Sequence, residues 1–183
     1  MDVRRVVTGK TVEGKSVFVS DEQVAPVTLA LSPGYEFHQL WWSDTTPQVP
    51  IDGTPPKPST YFPPPAGYRF GFFTVAPGGQ ELPPDVDIAA GLAEIEAKLP
   101  GMAAHMEPDE PGMHTTQTVD FEVVLSGEVV CELDDGAEVT LRAGDTFVQN
   151  GTRHRWHNRG DTIARFLSVT VGARHRIEGG GPV

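Results

Sequence analysis

The second half of the chain alternates apolar and polar residues over short stretches between residues 112 and 173. Alternation of this kind is typical of β-strands, in which successive side chains point to opposite faces of a sheet. Turn residues divide these stretches at Ser126-Gly127, Asp134-Asp135-Gly136, Ala143-Gly144, Asn150-Gly151 and Arg159-Gly160-Asp161. Because short strands recur at regular spacing, the pattern predicts an all-β barrel or jelly roll with a hairpin turn at residues 134–136.

The first half mixes strand patterns with a proline-rich segment. Two β-rich runs separated by a Gly-containing turn predict a hairpin within residues 3–20, and further strands are predicted at residues 28–32, 37–42 and 68–76. Proline disfavours a helix or a central strand at residues 46–67, which we expect to form an ordered loop lying against the barrel.

One helix is predicted, at residues 85–98, with Asp85 as its N-cap and Pro100-Gly101 as its end. Four apolar residues at helical spacing predict a stripe that packs on the domain: Ile88, Leu92, Ile95 and Leu99. We expect a single domain, in which the strands, loop and helix of residues 1–111 pack on a barrel core and C-terminal tail at residues 112–183.

Charge and cysteine content narrow the choice of partners. Lys and Arg total 14 against 25 Asp and Glu, and the resulting net charge of −11 disfavours nucleic acid and anionic membrane as partners. The single cysteine, Cys131, cannot form an internal disulfide. With neither a signal-peptide pattern nor a long apolar span, the sequence predicts a cytoplasmic protein that acts on a small molecule.

Polar residues of possible chemical interest share one face of a predicted strand. These residues all have even numbers, namely His114, Thr116, Thr118, Asp120 and Glu122. Gln149 and His154 flank the turn at Asn150-Gly151, and a barrel would bring the two groups together across its interior. Two positions leave alternatives open. Glu122 faces either the interior or, after a local bulge, the solvent, and Trp156 either forms a pocket wall or packs at the barrel end.

The first of these groups resembles a motif of the cupin superfamily, commonly written G-x5-H-x-H-x3-4-E-x6-G. His114 matches the first histidine, and Asp120 takes the place of the glutamate, with six residues between it and Gly127. Thr116 stands where the second histidine belongs.

The second group resembles the other cupin motif, G-x5-P-x-G-x2-H-x3-N. Gly151, His154 and Asn158 match at the family spacing, while the proline is absent and the segment from Gly144 to Gly151 is one residue shorter. The chain also resembles a cupin subgroup with the patterns H-T-x-T-x-D and V-Q-x-G-T-x-H-x-W-x-N, some of whose members are described as oxidoreductases.

The resemblance implies a cupin double-stranded β-helix with N-terminal strands and one short helix, assembled as a homodimer. Metal-binding cupins offer three histidines and one glutamate, whereas the matched set here is His114, Asp120 and His154. Two histidines and one carboxylate suit Fe(II) with open coordination positions, and Mn²⁺ or Zn²⁺ is also chemically reasonable. Gln149 is a further candidate, as a weak oxygen ligand or as a substrate contact.

A metal-free site is the alternative. His114 or His154 beside Asp120 would form a His–carboxylate dyad that acts as a general base, with Glu122 as a second acid or base. In either case the candidate substrate contacts are Thr116, Thr118, Gln149 and Trp156.

The function that we expect is that of a small-molecule enzyme, a metal-dependent oxidoreductase of the dioxygenase type acting on a small organic or aromatic metabolite. Two other functions stay open. One is a metal-free isomerase, dehydratase or decarboxylase, and the other is a non-catalytic ligand-binding cupin.

Overall fold

The structure, a computed structural model, describes residues 2–54, 58–78, 82 and 84–174. Its elements in chain order are β1 (Val3–Lys10), β2 (Ser16–Val24), β3 (Val27–Leu29), β4 (Ser32–Ser43), β5 (Tyr68–Val75), α1 (Ile88–Lys98), β6 (Thr118–Ser126), β7 (Glu128–Glu132), β8 (Glu138–Arg142), β9 (Thr146–Asn150), β10 (Arg155–His157) and β11 (Ala164–Gly172). The predicted tail beyond residue 174 lies outside the described residues. Within them, no helix has the length and apolar character that a membrane span requires.

Two antiparallel sheets pack face to face. One has six strands in the order β3-β4-β5-β11-β6-β9, and the other has three in the order β10-β7-β8. Their apolar side chains meet in a core cluster of Val75, Val124, Val129, Leu141, Ala164 and Phe166. The all-β jelly-roll prediction is therefore confirmed, and the predicted hairpin turn at Asp134–Gly136 joins β7 to β8.

Strands from the first half of the chain are part of the main sheet. β5 pairs with β11 along eight residues, from Val75 opposite Ala164 to Tyr68 opposite Val171. β4 and β5 thus extend the sheet of residues 112–183 by hydrogen bonding. The segment Ser32-Pro33-Gly34, around which two separate strands are predicted at residues 28–32 and 37–42, lies within β4.

The helix begins later than its sequence pattern indicated. Asp87, not Asp85, caps it, because the Asp87 carboxylate accepts a hydrogen bond from the Ala90 N–H at 2.9 Å. The predicted apolar stripe is only half correct. Ile95 and Leu99 pack into a cluster with Leu29 and Phe37, whereas Ile88 and Leu92 are exposed.

The N-terminal hairpin forms as predicted, but as a separate two-stranded sheet of β1 and β2. Arg5 links it to the six-stranded sheet. Its guanidinium donates to the Leu40 carbonyl at 2.9 Å and lies 5.9 Å from the centre of the Trp41 ring. A lone hairpin has little stability in water, so these contacts with β4 help to hold it in place.

Candidate active site in the barrel interior

The inner face of the six-stranded sheet changes from apolar to polar along β11. Phe166 lies opposite Val124 of β6 and Phe73 of β5, and these side chains belong to the apolar core or pack against it. The next two inward positions along β11 are polar, with Ser168 opposite Glu122 and Thr170 opposite Asp120. The core therefore fills one end of the barrel and leaves a polar interior at the other.

Asp120 and Glu122 form a buried carboxyl pair in this interior. Their exposed fractions are 7% and 8%, so the burial pattern of β6 places Glu122 on the inner face and not in solvent. Burial raises the pKa of Asp120 to about 6, against hydrogen bonds from Thr118 and Thr170 that lower it. Burial and then the charge of Asp120 raise the pKa of Glu122 to about 8.

Three buried polar atoms in this region have no hydrogen-bond partner among the described residues. They are Asp120 Oδ1, Glu122 Oε2 and Gln149 Nε2. A buried donor or acceptor left unpaired costs about 1–3 kcal/mol. Three such atoms near one another are therefore expected at a place where a ligand or ordered water completes the hydrogen bonding.

Gln149 presents its amide nitrogen, not its oxygen, to the interior. It lies directly opposite Asp120 in the pairing of β6 with β9. Its Oε1 accepts hydrogen bonds from the backbone N–H groups of Asn150 at 3.0 Å and Thr152 at 3.3 Å, and from the Thr152 hydroxyl. Because N–H groups can only donate, the oxygen is fixed in this position. Gln149 as a metal ligand stays a prediction, and in this arrangement the group that it offers to the interior is a donor.

The two motif histidines are neighbours across an isolated antiparallel bridge. His114 and His154 exchange both backbone N–H···O hydrogen bonds at 3.0 Å, and their ring centres are 4.2 Å apart. His114 Nδ1 lies 2.9 Å from the Gly112 carbonyl, and His154 Nδ1 lies 3.0 Å from the Thr152 carbonyl. Since a carbonyl only accepts, both Nδ1 atoms carry the hydrogen in the neutral rings, and both Nε2 atoms keep a free lone pair.

Burial keeps these imidazoles neutral. It is the main cause that lowers the pKa of His114, and burial together with the charge of His114 lowers the pKa of His154 to about 4. Neutral imidazoles with free Nε2 atoms are the form that binds transition metals. The histidine pair therefore fits a divalent metal in its donor chemistry.

The histidines and the carboxyl pair do not converge as the sequence led us to expect. Among the described residues, His114, Asp120 and His154 do not form a group whose ligand atoms all lie within 4.8 Å of one another. The His–carboxylate dyad is likewise not formed, because both Nδ1 atoms contact carbonyls and Asp120 is bonded by threonines. The reason is the register: Asp120 faces Gln149 on β9, while His154 lies beyond the following turn.

The threonines and the tryptophan of the predicted site have mainly structural contacts. The Thr116 and Thr118 hydroxyls are buried and 2.7 Å apart, so Thr116 is engaged by its neighbour at the position of the missing histidine. Trp156 packs on Phe166 and Phe147 in the core, and its ring meets His154 edge-on at 5.8 Å. Trp156 thus supports the histidine from the core side.

The proline-rich loop forms the mouth of the barrel. A cleft of about 270 Å³ is lined by Phe62, His105, Thr118 and neighbouring residues. Phe62 packs edge-on against His105 at 4.8 Å and lies over His114 at 6.5 Å. The loop can approach because Gly172 has no side chain, since a Cβ there would lie 1.9 Å from the Pro64 carbonyl oxygen. The expectation of an ordered loop lying against the barrel agrees with these contacts.

Arg69 fastens this loop to the sheet. Its Nε donates to the Thr60 and Tyr61 carbonyls, its Nη1 to those of Ser43 and Tyr68, and its Nη2 to Thr60 and to Asp44 Oδ1. Those six contacts engage all five N–H groups of the guanidinium. The arginine nearest the polar interior is therefore fully occupied in holding the mouth.

Sequence reasoning missed several residues that lie near the carboxyl pair. Tyr61 is close enough that, after burial, the charges of Asp120 and Glu122 raise its pKa. Ser168 and Thr170 hydrogen-bond the two carboxyl groups. The alternation in β11 contained the signal for these two residues, whereas nothing local in the sequence links Tyr61 to the strand pair.

A second cluster with metal-ligand atoms, Glu132, Glu138 and His157, lies on the three-stranded sheet. Glu132 is paired with Arg155 at 2.8 Å and with His157 at 2.5 Å, and Glu138 is paired with Arg159. Two arginines already neutralise these carboxylates, so the cluster is a salt-bridge network and not a cation site.

Comparison with known proteins agrees with the two motifs. Residues 102–170 match the Cupin_2 family model, described as "Cupin domain". This segment is a cupin domain. The matched segment contains the histidine pair, the carboxyl pair and Gln149, whereas Tyr61 reaches the polar interior from outside it.

Among curated relatives, the chain is 37% identical over 94 residues to "Phomopsin biosynthesis cluster protein C'" of Diaporthe leptostromiformis, covering 50% of this chain and 46% of that protein. It is 39% identical over 46 residues to "Cupin-domain-containing oxidoreductase virC" of Hypocrea virens, covering 25% and 24%. The chain thus spans less than half the length of either relative. The "Schizosaccharomyces pombe Cnp3 Cupin Domain" superposes with a TM-score of 0.48 at 9% identity, covering 94% of this chain and 89% of that one.

Proposed function

We propose that this cupin domain is a small-molecule enzyme of the oxidoreductase class, with a divalent transition metal held by His114 and His154. The observation that carries the proposal is the histidine pair. Both rings are neutral, both are fixed through Nδ1, and both keep a free Nε2. Relatives named as cupin-domain-containing oxidoreductases support the reaction class. Iron, manganese or zinc each suits imidazole ligands.

A metal bound by these two rings would supply a Lewis acid and, for iron or manganese, one-electron chemistry. The carboxyl pair would move protons. Near pH 7 Asp120, with a pKa of about 6, is mainly ionised and is placed to accept a proton through its unpaired Oδ1. Glu122, with a pKa of about 8, is mainly protonated and is placed to donate a hydrogen bond.

Elemental analysis tests the metal assignment. Protein purified without added metal or chelator should contain close to one transition metal per chain. His154→Ala should lower that content several-fold, because it removes one of two ligands. His157→Ala is the matched control, since His157 lies in the salt-bridge network outside the interior. If His154→Ala keeps its metal content, or if metal-free protein takes up no metal, the proposed metal site is wrong. The metal-dependent oxidoreductase reaction would then also be excluded.

The alternative is a metal-free isomerase, dehydratase or decarboxylase, which the shifted pKa values of the carboxyl pair favour. Asp120→Asn keeps the shape and removes the charge. Given a substrate that the protein turns over, this change should lower the rate at least ~100-fold if Asp120 is the base. Glu128→Gln, at an exposed position of β7, is the control. A normal rate in Asp120→Asn would reject the assignment, and a ligand bound without turnover by the parent protein would indicate a binding module.

We also propose that a second copy of the chain covers the outer face of the six-stranded sheet. The strand registers place one apolar row across five strands: Trp41, Phe70, Val169, Phe121 and Val148. Phe121 and Val148 are 50% and 52% exposed.

The chemistry of this outer face suits a second copy. The row has no charged residue, so it is a surface on which two chains of net charge −11 can meet with little repulsion. Five strands about 4.8 Å apart span about 20 Å, which matches the centre of an interface burying about 800 Å² per partner. Light scattering should give the mass of two chains.

A further inference from the structure

Among the described residues, the polar interior contains no arginine or lysine that is free of a partner. Its inward side chains include hydroxyls, the Gln149 amide, the carboxyl pair and the histidine pair. Arg69 is the arginine that the β5–β11 register brings opposite Thr170, and its N–H groups are all engaged by carbonyls and by Asp44. A ligand entering this region therefore meets carboxyl groups and no arginine or lysine that is free to pair with an anion, among the residues described.

Two of the unpaired atoms have fixed and opposite hydrogen-bonding roles, one as a donor and the other as an acceptor. Gln149 is 98% buried, and its Nε2 must donate because its Oε1 is held by backbone N–H groups. Asp120 lies directly opposite on the neighbouring strand, and its Oδ1 can only accept when ionised. Side chains opposite one another on an antiparallel pair have Cβ atoms about 5 Å apart. The two atoms therefore face the same part of the interior, and one small group that accepts from Nε2 and donates to Oδ1 would complete the hydrogen bonding of both.

We propose that Asp120, Glu122 and Gln149 form a recognition subsite for an uncharged group that carries an N–H or O–H donor beside a carbonyl acceptor, such as a primary amide, and that this subsite rejects carboxylates. The inference rests on the proposed function for the identity of the active site, but not on the metal. A carboxylate of the same shape offers two acceptors and a negative charge, so it would face Asp120 without a donor. Rejection of an isostere by a buried hydrogen-bonding site is strong because it leaves the polar groups of the site unpaired.

Benzamide and benzoate are a matched pair of probes, since they share shape and differ in charge and donor. In ¹⁵N-labelled protein, the side-chain NH₂ resonances of Gln149 report on this subsite alone, and they are assigned by their loss in Gln149→Met. At pH 7.5 benzamide should shift these resonances with saturation, and benzoate should need at least ~10-fold higher concentration for the same shift. Asp120→Asn, which supplies a donor and removes the charge, should narrow that ratio and serves as a second variant if Gln149→Met does not fold.

Equal shifts with benzoate, or no shift with benzamide at tens of millimolar, would overturn the proposal. Its failure is distinguishable from failure of the metal assignment. Benzamide selectivity should persist in His154→Ala if the subsite is correct, whether or not the protein contains metal.

Discussion

The two faces of the six-stranded sheet have opposite chemistry, and the polar one is on the inside. At the mouth end, the inner face presents Glu122, Asp120 and Gln149, while the outer face of the same strands presents Phe121 and Val148. Antiparallel sheets ordinarily reverse this distribution, with the apolar face inward and the polar face in solvent. This distribution indicates that stability of the folded monomer is not the only constraint on the sequence of these strands. Burying two carboxyl groups is costly, and exposing a phenylalanine gains nothing in a monomer.

The apolar end of the inner face gives the first test of this comparison. Phe166 is fully buried and stacks on Phe73 with ring centres 4.6 Å apart. Phe166→Ala should lower the free energy of unfolding by about 3–5 kcal/mol, because it leaves a cavity in the core. Phe121→Ala on the outer face is the matched control and should cost less than about 1 kcal/mol at protein concentrations low enough for the chain to be monomeric. A loss that grows with protein concentration in denaturant titrations would agree with the proposed second copy on this face, and an equal loss in the dilute monomer would contradict the comparison of the two faces.

The polar end gives a test with a defined pH dependence. The pKa of Glu122 is raised from 4.5 to about 8 in the folded chain, so the protein is most stable, with respect to this group, below pH 4.5 and loses that stability as pH rises through 8. Glu122→Gln has no group to ionise. Its unfolding free energy should match that of the parent near pH 5 and exceed it by on the order of 3 kcal/mol near pH 9. A constant difference between the two pH values would mean that Glu122 is solvated.

The outer face gives the smallest of the three expected effects. Phe121→Asp places a charge in the centre of the apolar row and should weaken dimerisation at least ~10-fold, or about 1.4 kcal/mol. Val139→Asp on β8 is a control of similar exposure on the other sheet, and it should leave the mass unchanged. If the dimer persists in Phe121→Asp but is lost in Val139→Asp, the interface lies on the three-stranded sheet and not on the outer face of the six-stranded sheet.

Alternation and turn chemistry made most of the fold predictable. The even-numbered positions of β6 face inward as expected, and the turn at residues 134–136 needed no tertiary information. The helix start was misplaced because Asp85 and Asp87 are both suitable caps, and only the hydrogen bond to Ala90 decides between them.

The site was less predictable, because its composition depends on contacts between distant segments. The motifs identified both histidines and Asp120 as candidates, and strand alternation added Glu122. They did not reveal that Gln149 is turned by the backbone of residues 150–152, or that Tyr61 reaches the carboxyl pair from the proline-rich loop. The resemblance implied one three-residue ligand set, whereas the strand register separates it into two polar groups.

The attachment of the proline-rich loop has a kinetic consequence. Arg69 fastens this loop through four carbonyls and a carboxylate, and Gly172 lets its backbone rest on the end of β11. A rim held in this way stays in place, so the size of the opening, and not an opening motion, is expected to limit access to the interior. Molecules are then sorted by width before any recognition chemistry begins, and the rate of exchange between the interior and solvent follows their diameter and not the opening of a hinge.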